Sequence, residues 1–203
     1  MGGLLTDRLV MKIPIEKVRE GDIIGASGVT LISDIIKISK NIPYNPSKDV
    51  LKWVTESLLS HSGVVVFDRR QHCLVVGEAC AEGVVTSPLE KYCDPDPSIV
   101  QGVCLLRYPY LADSQAWSIS RNFYKDCYGK EYDYPGLLGF LIRIILGKLG
   151  INIENPVQER EAWFCSEVIA RLFRDIGVLL VPQQPESTSP EDLYTSTKLS
   201  RIV

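Results

Sequence analysis

Two β-branched runs on either side of one short polar turn constrain this chain more than anything else in it. His61-Ser62-Gly63-Val64-Val65-Val66-Phe67 and Cys73-Leu74-Val75-Val76-Gly77-Glu78-Ala79 flank the turn Asp68 to Gln71, the pattern of a β-hairpin. Gly21-Asp22-Ile23-Ile24-Gly25 reads as a turn feeding a buried strand. Gly83-Val84-Val85-Thr86 and residues 100–108 extend the hairpin into an antiparallel sheet. Apolar residues at helical spacing predict helices over 30–40, 49–60, 114–127, 137–149 and 163–176. Asp113 or Ser114 is the expected N-cap of the third, and Gly177 the stop of the last. Pro43 and Pro46 make 41–47 a loop, and a tail holding Pro182, Pro185 and Pro190 reads as mostly irregular. The expected fold is α+β, a small antiparallel sheet packed against helices, with 203 residues forming one domain over 1–203.

Charge and cysteine usage exclude several classes of function. A net charge of −3 leaves no basic footprint for nucleic acid and little attraction to an anionic membrane surface. Residues 137–146 form the longest apolar run. It is broken by Gly139 and Arg143 and is too short to cross a bilayer, so no stable membrane insertion is expected. The first residues lack the basic and apolar segments of a secretory signal. Met1-Gly2-Gly3-Leu4-Leu5-Thr6 fits an N-myristoylation pattern loosely, but an ordinary N-terminus is the stronger reading. The six cysteines include no CxxC pair, so neither a disulfide framework nor a zinc site is expected. These features point to a reduced, cytoplasmic protein with no metal and no cofactor.

Any imidazole chemistry has two candidates. His72 sits at the polar turn and reads as a solvated loop residue, whereas His61 opens a strand that should be buried. If Phe67 pairs with His72 across the turn, the position numbers of opposed residues sum to 139, and Glu78 falls opposite His61. Opposed residues share a face with Cβ atoms about 4.5–5.5 Å apart. A carboxylate there fixes the imidazole tautomer and frees the other nitrogen to act as base. Its place near a strand end is expected to leave Glu78 partly wet. Five cysteines read as small hydrophobes. Cys165, in Trp163-Phe164-Cys165-Ser166-Glu167, falls in the first turn of a predicted helix, where backbone N–H groups and the helix dipole favour a thiolate. From the residues alone, a packed structural cysteine is as good a reading.

Five short blocks in order then carry a resemblance. Gly21-Asp22-Ile23-Ile24, Ser60-His61-Ser62-Gly63-Val64-Val65, Glu78-Ala79 with Gly83-Val84, Gly129-Lys130-Glu131-Tyr132-Asp133 and Phe164-Cys165-Ser166-Glu167 resemble the permuted NlpC/P60 papain-like (YiiX-like) cysteine hydrolases. The likeness runs from about Gly21 to Leu193. It implies a circularly permuted papain-like core whose catalytic helix follows the sheet, with likeness-based insertions at 26–59 and 137–160. By the same resemblance Cys165 is the nucleophile, His61 the base and Glu78 the polar third member, while Tyr132 and Asp133 lie near a substrate cleft. As plain residues, Tyr132 and Tyr134 are equally well read as half-buried aromatics.

The implied activity is hydrolysis of an amide, in a peptide or an amino-acid amide, through an acyl-enzyme. One alternative is an acyltransferase or thioesterase-like enzyme acting on a lipid-acyl substrate with the same dyad. The related acyltransferases show Asn-Cys-Glu-His at the nucleophile where this chain has Phe164-Cys165-Ser166-Glu167, which favours hydrolysis. The other alternative is a non-catalytic binding module.

Overall fold

The β-branched runs form the middle of a six-stranded antiparallel sheet in a computed structural model that describes residues 9–28, 59, 61–80, 82–131 and 165–203. The strands are β1 (Ile23–Gly28), β2 (His61–Asp68), β3 (Cys73–Cys80), β4 (Gly83–Pro88), β5 (Val100–Arg107) and β6 (Ser200–Arg201), in the spatial order β4-β3-β2-β1-β5-β6. The described helices are α1 (Glu90–Cys93), α2 (Asp113–Asn122), α3 (Cys165–Asp175) and α4 (Pro190–Tyr194). The helices expected over 30–40, 49–60 and 137–149, and the insertion at 137–160, lie outside the described residues. So does nearly all of the insertion at 26–59, and so do Tyr132, Asp133, Trp163 and Phe164.

Alternation along the strands sorts the core into two layers. Val64 and Val66 of β2 and Val75 of β3 pack with Val168, Ile169, Leu172 and Phe173 of α3 and with Ile119 of α2. Val65 and Val76 face the other way, onto Leu89, Tyr92 and Cys93 around α1 and onto Ile13 and Val18 from the N-terminal segment. Each fully buried Leu, Ile or Phe contributes roughly 1.5–3 kcal/mol, so α3 is held to the sheet by its apolar stripe. Gly177, at φ +82, ends that helix, and the N–H of Val178 donates back to the carbonyl of Phe173 at 2.9 Å. This is the left-handed C-terminal cap expected there.

The hairpin turn sits one residue later than the sequence reading has it. Asp68 stays in the strand, and its carboxylate accepts from the N–H groups of Arg70 at 2.7 Å and Gln71 at 3.2 Å. His72 supplies the left-handed residue at φ 56. The closing pair is therefore Asp68 with Cys73, and Val64 pairs with Gly77, so opposed positions sum to 141 and not 139. A shift of two keeps every residue on its expected face. Continuing the register sets Glu78 opposite Gly63, and a Cβ placed on Gly63 would indeed lie 3.5 Å from Glu78 Cβ.

Three other expectations need correcting. The N-cap of α2 is Ala112, neither Asp113 nor Ser114. Gln115 Oε1 accepts the Ala112 N–H at 3.1 Å, which starts the helix early. Beyond Asn122 the chain continues as a π turn, Phe123–Cys127, with the Tyr128 N–H donating to the Phe123 carbonyl at 2.8 Å. The tail is better ordered than its prolines suggest. Ser189 caps α4 by accepting the Asp192 N–H at 3.1 Å while Asp192 accepts the Ser189 N–H at 2.7 Å, and Ser200–Arg201 then adds β6 beside β5.

Candidate active site

The start of β2 and the end of β3 bring His61 and Glu78 together. His61 Nε2 lies 2.5 Å from Glu78 Oε2. The same oxygen accepts the Tyr92 hydroxyl at 2.6 Å, and Glu78 Oε1 accepts Lys91 Nζ at 2.6 Å. Tyr92 also stacks on the imidazole, with ring centroids 6.3 Å apart and planes 14° from parallel. Glu78 is 1% exposed, against the expectation of a partly wet carboxylate, because α1 closes over the strand end. Burial pushes its pKa up, but the His61 imidazolium and then the Lys91 ammonium more than reverse that and hold it well below the carboxylate range.

Cys165 is the second group that acts on the imidazole. It is the first described residue of α3 and is 5% exposed. Burial raises its thiol pKa, yet the hydrogen bond and positive charge of His61, followed by the N–H and hydroxyl of Ser62, bring it below the usual thiol value. For His61, burial favours the neutral ring. Cys165 and Glu78 outweigh it and push the imidazole up to about 10. The two opposed shifts favour a thiolate–imidazolium pair. With Nε2 committed to Glu78, Nδ1 is the nitrogen left for sulfur. Nδ1 and the Ser62 hydroxyl are buried and make no hydrogen bond of ordinary geometry among the described residues.

With Cys165 and His61 ionised, the charges of Cys165, His61, Glu78 and Lys91 would alternate in sign and sum to zero. Opposite charges within a few ångströms favour one another's ionised forms.

His72 is exposed in its turn, as expected. The remaining cysteines are free, and their environments differ. Cys93, Cys104 and Cys127 are buried, Cys80 is half-buried, and Cys73 is exposed at the hairpin end rather than packed. Burial pushes Cys104 up to about 11 and Cys127 to about 12, and burial with the Glu82 carboxylate pushes Cys80 to about 12. Sequence reasoning missed Lys91, Tyr92 and Ser62. Lys91 and Tyr92 lie on a four-residue helix too short to show periodicity. Ser62 is marked only by adjoining His61. Tyr132 and Asp133 lie outside the described residues.

The fold has a counterpart among solved structures. The crystal structure of the metalloprotein yiiX from Escherichia coli O157:H7 (DUF1105) aligns with a TM-score of 0.56 at 18% identity, covering 91% of this chain and 96% of that one. The fold is YiiX-like. No protein-family model matches the chain, and no curated protein matches it. YiiX is described as a metalloprotein. Among the described residues of this chain, no group of three or more His, Cys, Asp and Glu side chains is arranged to hold a metal ion. Glu78 already has Lys91 on one oxygen and His61 with Tyr92 on the other, so a metal ion would have to displace cations already in place. The YiiX-like fold also has no described helix long and apolar enough to cross a membrane.

Proposed function

We propose that the chain is a thiol hydrolase of the permuted papain-like kind, cleaving an amide in a small peptide or amino-acid amide. The carrying observation is that Glu78 holds one imidazole nitrogen of His61 while Cys165, buried at the start of α3, also acts on the ring. The chain order supports the permutation, since α3, with the candidate nucleophile, follows the five strands β1 to β5. Tyr132 and Asp133 remain the proposed cleft residues.

In this reading the Cys165 thiolate attacks the carbonyl carbon. The carbon–oxygen double bond opens to an oxyanion, stabilised by backbone N–H groups at the start of α3, which have no partners within the helix. His61 gives its Nδ1 proton to the leaving amine as the carbon–nitrogen bond breaks, leaving a thioester. Water then loses a proton to Nδ1 and attacks the thioester. The acid departs, and the thiolate and imidazolium are restored. Glu78 keeps the Nε2 proton oriented and balances the ring's charge throughout.

Incubation with a panel of peptide amides, amino-acid amides and lipid esters tests this, read by product formation and by intact-protein mass. Turnover of an amide with a transient acyl mass on Cys165, lost in Cys165→Ala, is expected. Turnover that survives Cys165→Ala would overturn it. Preference for lipid esters would keep the dyad and move the substrate to the acyl-transfer class.

A further inference from the structure

Glu78 is held by more than the histidine it orients, and the additional contacts come from one short helix. Lys91 and Tyr92 are adjacent on α1, and both reach the same carboxylate, one on each oxygen, at 2.6 Å. Tyr92 contacts the dyad twice, through its hydroxyl on Glu78 Oε2 and through its ring stacked on His61. Lys91 Nζ lies over the Tyr92 ring, 5.3 Å from its centroid. Glu78 Oε2 is therefore shared between Tyr92 and His61 Nε2, while Oε1 belongs to Lys91. We propose that Lys91 and Tyr92 are positioning residues that keep Glu78 ionised and aimed, and through it set the lowest pH at which the Cys165–His61 pair exists.

A buried carboxylate facing a single imidazole has two low-cost arrangements: both charged, or both neutral with the proton on the acid. Only the first leaves a positively charged His61 beside Cys165. Lys91 is a third charge that favours the ionised carboxylate whatever the state of the ring. At 41% side-chain exposure it keeps part of its own hydration and suffers little from that proximity. Tyr92 adds a donor that cannot accept the carboxylate's proton in exchange. Burial and the Glu78 charge hold its pKa well above the usual tyrosine value, so it stays an O–H donor across the working range. Among the described residues, the ionisable groups facing the cluster are His61 from β2, Cys80 from β3, Lys91 and Tyr92 from α1 and Cys165 from α3. Glu82, beyond Cys80, completes the set. Of these only Lys91 and His61 bring positive charge to Glu78.

This inference rests on the proposed thiolate–imidazolium pair, and one substrate-free measurement separates the two. Alkylation of Cys165 by iodoacetamide, followed by peptide mapping from pH 4 to pH 10, reports the thiolate fraction directly. In the unaltered protein the rate should rise along an acidic limb well below the ordinary thiol range. Lys91→Met should move that limb up by about one pH unit, the low end of the effect of an adjacent opposite charge because Lys91 is part-exposed. Tyr92→Phe, which keeps the ring, should move it the same way by less, and Lys91→Arg should restore it. A thermal melt for each variant checks that the fold is intact. An unaltered protein whose Cys165 labels only near pH 9 would sink the pair itself. A low limb that neither Lys91→Met nor Tyr92→Phe moves would leave the pair standing and overturn the positioning role of α1.

Discussion

Glu78 Oε2 lies 2.5 Å from His61 Nε2 even though the strand register sets Glu78 across from Gly63. The contact runs along a diagonal of the sheet face, where Cα atoms are about 7–8 Å apart and two long side chains still meet. It depends on an empty position between them. A Cβ on Gly63 would come within 2.5 Å of Val76 Cγ1 and 3.2 Å of the Gly77 carbonyl oxygen.

Gly63→Ala should therefore act on stability and on the site together. Forcing a methyl into a packed position costs typically 1–3 kcal/mol, and the relief available, moving β3 outward, lengthens the His61–Glu78 contact. A lowered urea midpoint together with slower labelling of Cys165 at pH 6 is the expected outcome. An unchanged midpoint would show that Val76 yields without cost.

Glu78→Gln should be a severe substitution. In serine-protease triads the carboxylate-to-amide change costs about 10⁴ in kcat. Glu78 is as thoroughly buried as such a group, at 1% exposure. The amide nitrogen would offer hydrogens to His61 or to Lys91, both of which need an acceptor, and would stabilise the tautomer with its proton on Nδ1. A loss of about 10³–10⁴ in kcat is expected on a substrate found in the amide screen, with KM little changed. A loss under tenfold would mean that Glu78 does not orient the imidazole.

Stability should carry the signature of the pair. His61, raised from 6.5 to about 10, stabilises the fold fully below pH 6.5, and that contribution disappears as the pH rises through 10. Cys165, lowered from 9.0, contributes above pH 9.0, and its contribution falls away as the pH drops through its folded value. Where the folded protein holds the ion pair within pH 6.5 to 9.0, it binds one proton, on the imidazole, and the unfolded chain also binds one, on the thiol. The slopes cancel there, so the joint contribution is level over that window and declines on either side. Urea titrations of the unaltered protein and Cys165→Ser across pH 5 to 10 should differ most on that plateau. A difference that grows steadily with pH would show no pair in the folded state.

Much of the fold was readable from residue order, and the shortfalls have local causes. The hairpin showed itself because Val64-Val65-Val66 and Val75-Val76 are β-branched runs around one polar turn. Its register did not, since which residue closes a four-residue loop depends on the Asp68 carboxylate bonding two N–H groups and on His72 accepting φ 56. Moving the loop by one residue shifts the register by two, and parity kept His61 and Glu78 on one face. The burial of Glu78 was invisible because it comes from α1, a helix of four residues that no periodicity announces. Lys91 and Tyr92 were missed for the same reason. Cys165 was singled out by its predicted helix and by the resemblance, but the Ser62 contribution to its sulfur exists only once α3 lies against the start of β2.

The most direct test of the central claim is the labelling of Cys165 at pH 6 with iodoacetamide, in the unaltered protein and in His61→Ala, with every cysteine mapped. Cys73 is the demanding internal control because it is exposed, whereas Cys104 and Cys127 are buried and pushed up to about 11 and 12. Reactivity follows thiolate fraction, so Cys165 should label ahead of Cys73 despite its burial, and His61→Ala should abolish that lead while Cys73 is unaffected. Labelling led by Cys73 in the unaltered protein, or a Cys165 rate indifferent to His61, would contradict the thiolate–imidazolium pair on which the proposed hydrolase stands.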